Sequence, residues 1–238
     1  TSRVYAISAL RRIRLREDET RLVSESDGQP PGFVAGGVTE SFPTVGWGAR
    51  SFYGTTKLAS ELFIEEYVSA YDFPAVINRC GVIAGAGQFG KVDQGVFTLW
   101  VARHLFGGEL RYTGFEGKGK QVRDLLHPND LYALIRRQVE CLADIRGEVF
   151  GAGGGVAGSV SLAEYTGLCR DATGRELAIG CVPDTSAVDI PYYVTNTSKV
   201  ESALGWSPVI TPREIVAEIA TWLRDNSKQL KPLFVPEE

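Results

Sequence analysis

The sequence predicts an α/β fold, on three observations. Short β-branched runs alternate with amphipathic helical runs along the chain, which is the pattern of a sheet covered by helices. The run Pro74-Ala-Val-Ile-Asn-Arg79-Cys-Gly-Val-Ile83 lies between two helix-patterned segments, as a buried parallel strand does. The last helix announces its own start, since Thr211-Pro212-Arg213-Glu214 supplies an N-cap, a Pro at N1 and a Glu at N3.

The elements follow in order. The segment from Arg11 to about Gly48 is polar, contains Pro30-Pro31 and Gly36-Gly37, holds no sustained period and reads as a long loop. From Tyr53 to about Tyr71, Leu58, Leu62, Phe63, Tyr67 and Val68 keep a helical period. After the strand near Ile77 come helices of about Val96 to Phe106, Leu131 to Leu142 and Val160 to Arg170, the last with a Ser161-x-x-Glu164 capping pattern. Between them Leu110 to Gly114 and Gln121 to Leu126 read as strands. Leu177 to Cys181 and Tyr192 to Thr195 are further strands, followed by a short helix near Ser198 to Leu204.

Composition narrows the function. The 238 residues are 44% hydrophobic and 23% charged, the profile of a soluble globular chain that buries a sizeable core in one large domain, or one plus a small lobe. A formal charge of −4 without a long basic run argues against nucleic acid or an anionic membrane as partner. No apolar stretch reaches the ~18 residues of a membrane helix, and no signal pattern opens the chain, which points to the cytoplasm. Cys80, Cys141, Cys169 and Cys181 lack metal spacing and read as buried free thiols, and His104 and His127 are too isolated for a metal site. The chain has no Met, and Thr1 to Ile7 reads as a strand end already under way, so a front portion is expected to be missing.

Tyr53 and Lys57 stand one helical turn apart on one face. A phenol titrates near ~10 and is a poor base at neutral pH, and an ammonium within ~4–6 Å favours its ionised form. The same spacing also fits a solvated surface pair, so the neighbourhood must decide. Two glycine runs, Gly85-x-Gly87-x-x-Gly90 and Gly153-x-Gly155-x-x-Gly158, match the dinucleotide pattern literally. Neither opens a helix within the turn with an acid-terminated strand at the right distance, and the second reads as a turn closing on a ligand or on the main lobe.

Five separated motifs carry a resemblance. Thr1-Ser-Arg-Val-Tyr5, Tyr53-Gly-Thr-Thr-Lys57, Asn78-Arg79-Cys-Gly-Val82, Gly119-Lys-Gln-Val-Arg123-Asp124-Leu-Leu-His-Pro-Asn-Asp130 and Leu204-Gly-Trp206-Ser-Pro208 follow one another in this order. In that order they resemble the extended short-chain dehydrogenase/reductases acting on nucleotide sugars. Gln88-Phe-Gly-Lys-Val-Asp-Gln94-Gly95 makes the chain most similar to the CDP-paratose 2-epimerase (CDP-tyvelose epimerase) group.

The resemblance implies the C-terminal part of a Rossmann-like, doubly wound NAD-binding fold plus a small α/β substrate-binding lobe, with the glycine-rich N-terminal half absent. Residues 1–84, rejoined by about 119–150, would belong to the NAD-binding domain, and 85–238 mainly to the lobe. It further implies Thr1, Tyr53 and Lys57 as catalytic, Tyr53, Lys57 and Arg79 as NAD contacts, and Gln88, Lys91, Gln94 and Arg123 as contacts to the nucleotide sugar. A homodimer is implied, through the Tyr53 helix and the helix near residue 100.

Nucleotide-sugar dehydratases carry Asp-Glu after the Thr, where this chain has Ser2 and Arg3, so epimerisation is expected over elimination. Asp189-Ile-Pro191-Tyr192 stands where the group commonly has an Asp-x-Arg, so a second phosphate-facing Arg is expected to be lacking. The competing expectations are a non-catalytic, truncated sugar-nucleotide-binding fragment and a related dehydratase or reductase.

Overall fold

Strands and helices alternate as expected in the computed structural model, which describes residues 1–89 and 95–234. A 3-10 turn, Ser2–Val4, leads into α1 (Ile7–Leu10). Two small antiparallel hairpins follow, β1 (Leu15–Glu17) with β2 (Leu22–Ser24), and β3 (Phe33–Val34) with β4 (Gly37–Val38). The expected long loop is thus two hairpins. Their strands are too short to show a period, and they are anchored by Phe33, Val38 and Phe42, which are buried in a core with Tyr5, Tyr192 and Tyr193.

Next come α2 (Phe52–Tyr71), β5 (Ile77–Cys80), β6 (Val82–Ile83), α3 (Val96–Phe106), β7 (Leu110–Thr113), β8 (Val122–Leu126) and α4 (Pro128–Glu140). They are followed by β9 (Val149–Ala152), β10 (Ser159–Ser161), α5 (Leu162–Thr173), β11 (Ile179–Val182), β12 (Tyr192–Tyr193), α6 (Ser198–Leu204), α7 (Pro212–Asp225) and α8 (Ser227–Phe234). Both capping boxes read from the sequence are formed, Ser161 with Glu164 and Thr211 with Glu214.

The pairing that matters for the site is parallel. β5 runs beside β9, with Arg79 opposite Gly151, while β6 and β12 both run parallel to β8 and β10 closes on β8 antiparallel. A second parallel pair, β7 with β11, lies apart. Around α3, α5, α7 and α8 a core gathers Trp100, Tyr165, Ile215, Ile219 and Leu223. Another joins α4, β9 and α6 through Leu134, Phe150, Val200 and Trp206. Asp130 locks that corner, because its carboxylate accepts from the Val209 and Ile210 amides and its carbonyl from the Trp206 indole.

Two expectations change here. α3 buries Phe97 through Ala102 and His104 within the chain, which leaves only a half-buried edge at Val96, Arg103, Leu105 and Phe106 where a subunit contact was expected. Of the four thiols only Cys169 is fully buried, and Cys181 on β11 is exposed. No His/Cys/Asp/Glu cluster among the described residues could hold a metal ion, and no helix there is long and apolar enough to cross a membrane.

Candidate active site

Ser51 starts the site by capping α2, its hydroxyl accepting from the Gly54 amide at 3.1 Å. That places Tyr53 in the first turn, with Lys57 one turn on and its Nζ 5.8 Å from the Tyr53 ring centroid. Gly54 between them is obligatory, because a Cβ there would stand 2.4 Å from the Arg3 carbonyl. This close approach seats the 3-10 turn on α2 and brings Thr1 to Tyr53. Thr1 Oγ accepts from the Arg3 amide at 3.3 Å, which leaves its proton for another acceptor.

Thr1, 52 residues before Tyr53 in sequence, therefore lines one groove of about 500 Å³ with Tyr53, Lys57, Glu61, Asn78, Cys80 and Ile83. The groove runs along β5 and β6, lined from Val76 to Ile83. Tyr53 is 48% exposed, open to a ligand from the groove side. Tyr5 is not a rival base, since burial pushes its phenol up to about 12 and keeps it neutral.

Arg79 lies elsewhere than expected. It is buried behind the groove and grips Glu61 through Nε at 3.0 Å and Nη2 at 2.7 Å. Its Nη1 donates to the Glu40 carbonyl at 2.9 Å, and its guanidinium lies over the Tyr5 ring. Each guanidinium nitrogen is thus engaged by the protein, and the residue ties α2, β5 and the hairpin loop together. Glu61, the partner that makes this possible, was not singled out in the sequence. Its helical register, four residues after Lys57 and eight after Tyr53, is the signal that could have flagged it.

A second and larger cavity, about 630 Å³, is lined by Arg123 with Arg3, Trp100, Arg103, Arg111 and Asp189 among others. Arg123 donates to Asp189 Oδ1 at 3.3 Å and to the Ile190 carbonyl at 2.7 Å. Burial pushes it down to about 10, against the attraction of Asp189. Gln88 stays out of both spaces and braces its loop, donating to the Ile83 carbonyl and accepting from Thr98. Lys91 and Gln94 lie outside the described residues.

The Gly153 run closes on the protein itself. A Cβ on Gly153 would stand 2.1 Å from the Asp124 carboxylate, and the Gly155 amide donates to that carboxylate.

Asp124 is fully buried, and desolvation pushes it up from 3.8 to about 6. A raised carboxyl value means that folding favours the neutral form. This contribution is fully present below pH 3.8 and is lost as pH rises through about 6, a change on the order of 3 kcal/mol. Asp124→Asn keeps an acceptor for the Gly155 amide and removes the titration. Relative to the variant, the wild-type protein should lose that stability between pH 4 and pH 7 in urea unfolding. A wild-type-minus-variant difference that is flat with pH would exclude the assignment.

Parallel strands along a Thr–Tyr–Lys groove, with helices packed around them and a second cavity walled with arginine, define a Rossmann-like α/β protein. The chain belongs to the NAD dependent epimerase/dehydratase family, whose pattern matches residues 26–153, more than half of it.

It is 28% identical over 179 residues to the CDP-paratose 2-epimerase of Salmonella typhi, covering 73% of this chain and 52% of that protein. The dTDP-glucose 4,6-dehydratase of Xanthomonas campestris is 28% identical over 222 residues, covering 89% and 60%. Among solved structures, the dTDP-glucose 4,6-dehydratase of Bacillus anthracis in complex with NAD superposes with a TM-score of 0.69 at 25% identity, covering 84% of this chain and 59% of that one. The chain thus spans about half the length of the curated relatives it matches.

Proposed function

We propose that the protein is an NAD-dependent epimerase that inverts one carbon of a nucleotide sugar, with C-2 of a CDP-hexose as the specific case. The observation that carries this reading is the meeting of Thr1, Tyr53 and Lys57 in one groove along β5 and β6.

The groove fits the nicotinamide end of NAD, because Tyr53 and Lys57 present a hydroxyl and an ammonium at its wall, suited to ribose hydroxyls. Bound there, NAD supplies reversible acceptance of a hydride from the sugar carbon, with no net redox change. Tyr53 takes the proton of the sugar hydroxyl as that carbon is oxidised and returns it afterwards. Lys57 places a positive charge beside the phenolic oxygen when it is negative. Thr1 donates its hydroxyl proton to the sugar and fixes the orientation of the reacting carbon.

The cavity around Arg123 takes the nucleotide, and most of its lining comes from residues 95–189, in keeping with a substrate lobe after residue 84. Lys91 and Gln94 keep their proposed substrate contacts. A homodimer belongs to the same proposal, through the face of α2 that exposes Phe63, Tyr67 and Tyr71.

Dehydration is the second reading, since dehydratases are among the relatives. It needs a free acid beside Thr1, and the adjacent residues are Ser2 and Arg3. Glu61 does line the groove, but Arg79 holds its carboxylate. Incubation with NAD and a panel of CDP-, UDP-, GDP- and dTDP-sugars, followed by NMR, separates the outcomes. The expected product is an epimer of one sugar with unchanged mass. A product lighter by one water would assign the protein to the dehydratases, and sugar binding without turnover would make it a non-catalytic binding protein.

A further inference from the structure

Arg3 has no part in the mechanism above, yet it connects its two spaces. Its backbone sits on α2 at Gly54, beside Tyr53, and Thr1 two residues earlier lines the Tyr53 groove. Its side chain leaves on the other side, lines the larger cavity with Arg123, and donates through Nη1 to the Val188 carbonyl. Arg3 thus spans the wall between groove and cavity, with its backbone on one side and its guanidinium on the other.

The charges of the cavity do not balance among the described residues. Its lining holds Arg3, Arg103, Arg111 and Arg123 against Glu109 and Asp189. Arg111 pairs with Glu109 at 2.8 Å and Arg123 with Asp189 at 3.3 Å. Arg103 and Arg3 reach only backbone carbonyls, those of Glu109 and Val188. Arg103 is turned onto the Glu109 side, so Arg3 is the cation that shares the Asp189 loop with Arg123. The two guanidiniums sense each other, since Arg3 adds by repulsion to the lowering that burial imposes on Arg123. Like charges held at one wall are unfavourable until an anion sits between them, and a guanidinium resting on a single neutral carbonyl keeps donors free for phosphate oxygens.

We propose that Arg3 is the second guanidinium for the substrate's diphosphate, binding with Arg123 the phosphate next to the sugar and so delivering the sugar to Tyr53. This rests on the nucleotide-sugar reading and deepens it. The second arginine missing from Asp189–Tyr192 is supplied from the opposite end of the chain, and the site selects diphosphate-linked sugars over free sugars.

Calorimetric titration of the protein with CDP, UDP, GDP and dTDP, and with the corresponding nucleosides, tests this. Arg3→Gln should weaken the preferred diphosphate about 10- to 100-fold, as expected for one charge-assisted phosphate contact. Nucleoside binding should stay unchanged, and Arg3→Lys should recover part of the loss. In turnover, KM should rise by the same factor while kcat falls less than about tenfold. Because Arg3 also holds the Val188 loop, a measurement on the unsubstituted protein accompanies the variants. Its Arg3 Nε–H resonance should shift on adding the diphosphate and not the nucleoside. Equal diphosphate affinity in wild type and Arg3→Gln, or an unmoved resonance, overturns the role of Arg3 alone. Failure of the unsubstituted protein to bind any diphosphate overturns the nucleotide-sugar reading as well.

Discussion

Tyr53→Phe lowers kcat by ~10²–10⁴-fold, the range that a positioned acid–base group contributes. The ring stays, so the contact of Lys57 with its face remains and the fold is untouched. The loss should fall equally on kcat and kcat/KM, because the phenolic proton is transferred only as the reaction proceeds. Lys57→Met should lower kcat and also weaken NAD, since in the proposed mechanism its ammonium serves both the phenolic oxygen and the ribose. Rapid-quench turnover with the sugar identified by the NMR panel is the measurement. A Tyr53→Phe protein working at more than a tenth of the wild-type rate would remove Tyr53 as the base.

Glu61→Ala destabilises the protein by about 3–5 kcal/mol, because it leaves the buried Arg79 guanidinium without its carboxylate. The two side chains are 7% and 8% exposed, so water cannot replace the lost partner. For a chain of this size the melting temperature should drop by on the order of 10 °C. Replacing both partners, Glu61→Met with Arg79→Leu, should recover much of the loss, since two apolar groups leave no orphaned charge. Denaturant unfolding of the two single variants and the pair gives the coupling. If Glu61→Ala unfolds within 1 kcal/mol of wild type, the pair is not what holds β5 to α2. The same variant should blunt catalysis in the fraction that stays folded, because α2 carries Tyr53 and Lys57.

Local features were legible without the structure. The Tyr53–Lys57 pair, the helix that carries it, the capping boxes of α5 and α7 and the α/β alternation each depend on residues within a turn or two of one another. The hairpins between Arg14 and Val38 were not legible, because strands of two or three residues show no period and their anchors find partners as distant as Tyr192 and Tyr193. The grouping of Thr1 with Tyr53 followed only from resemblance, and its physical cause is the missing Cβ of Gly54, which no spacing rule reads.

Arg79 shows the limit most plainly. From its motif it is one more cation near a cofactor site, but Glu61, Glu40 and Tyr5 come from three other segments and engage it completely. Arg3 is the reverse case. In the sequence it counts only as an absent carboxylate, and in the fold it faces the same cavity as Arg123.

The amino-acid sequence by itself determined the longer helices, their caps and the placing of Tyr53 and Lys57 on one helical face, since propensity, capping and i,i+4 spacing operate over a few residues. Only the tertiary structure decided which charges are already paired. Pairing depends on where distant backbones bring opposite groups, and that choice leaves Tyr53 open to the groove, engages Arg79 and turns Arg3 toward the cavity that Arg123 lines.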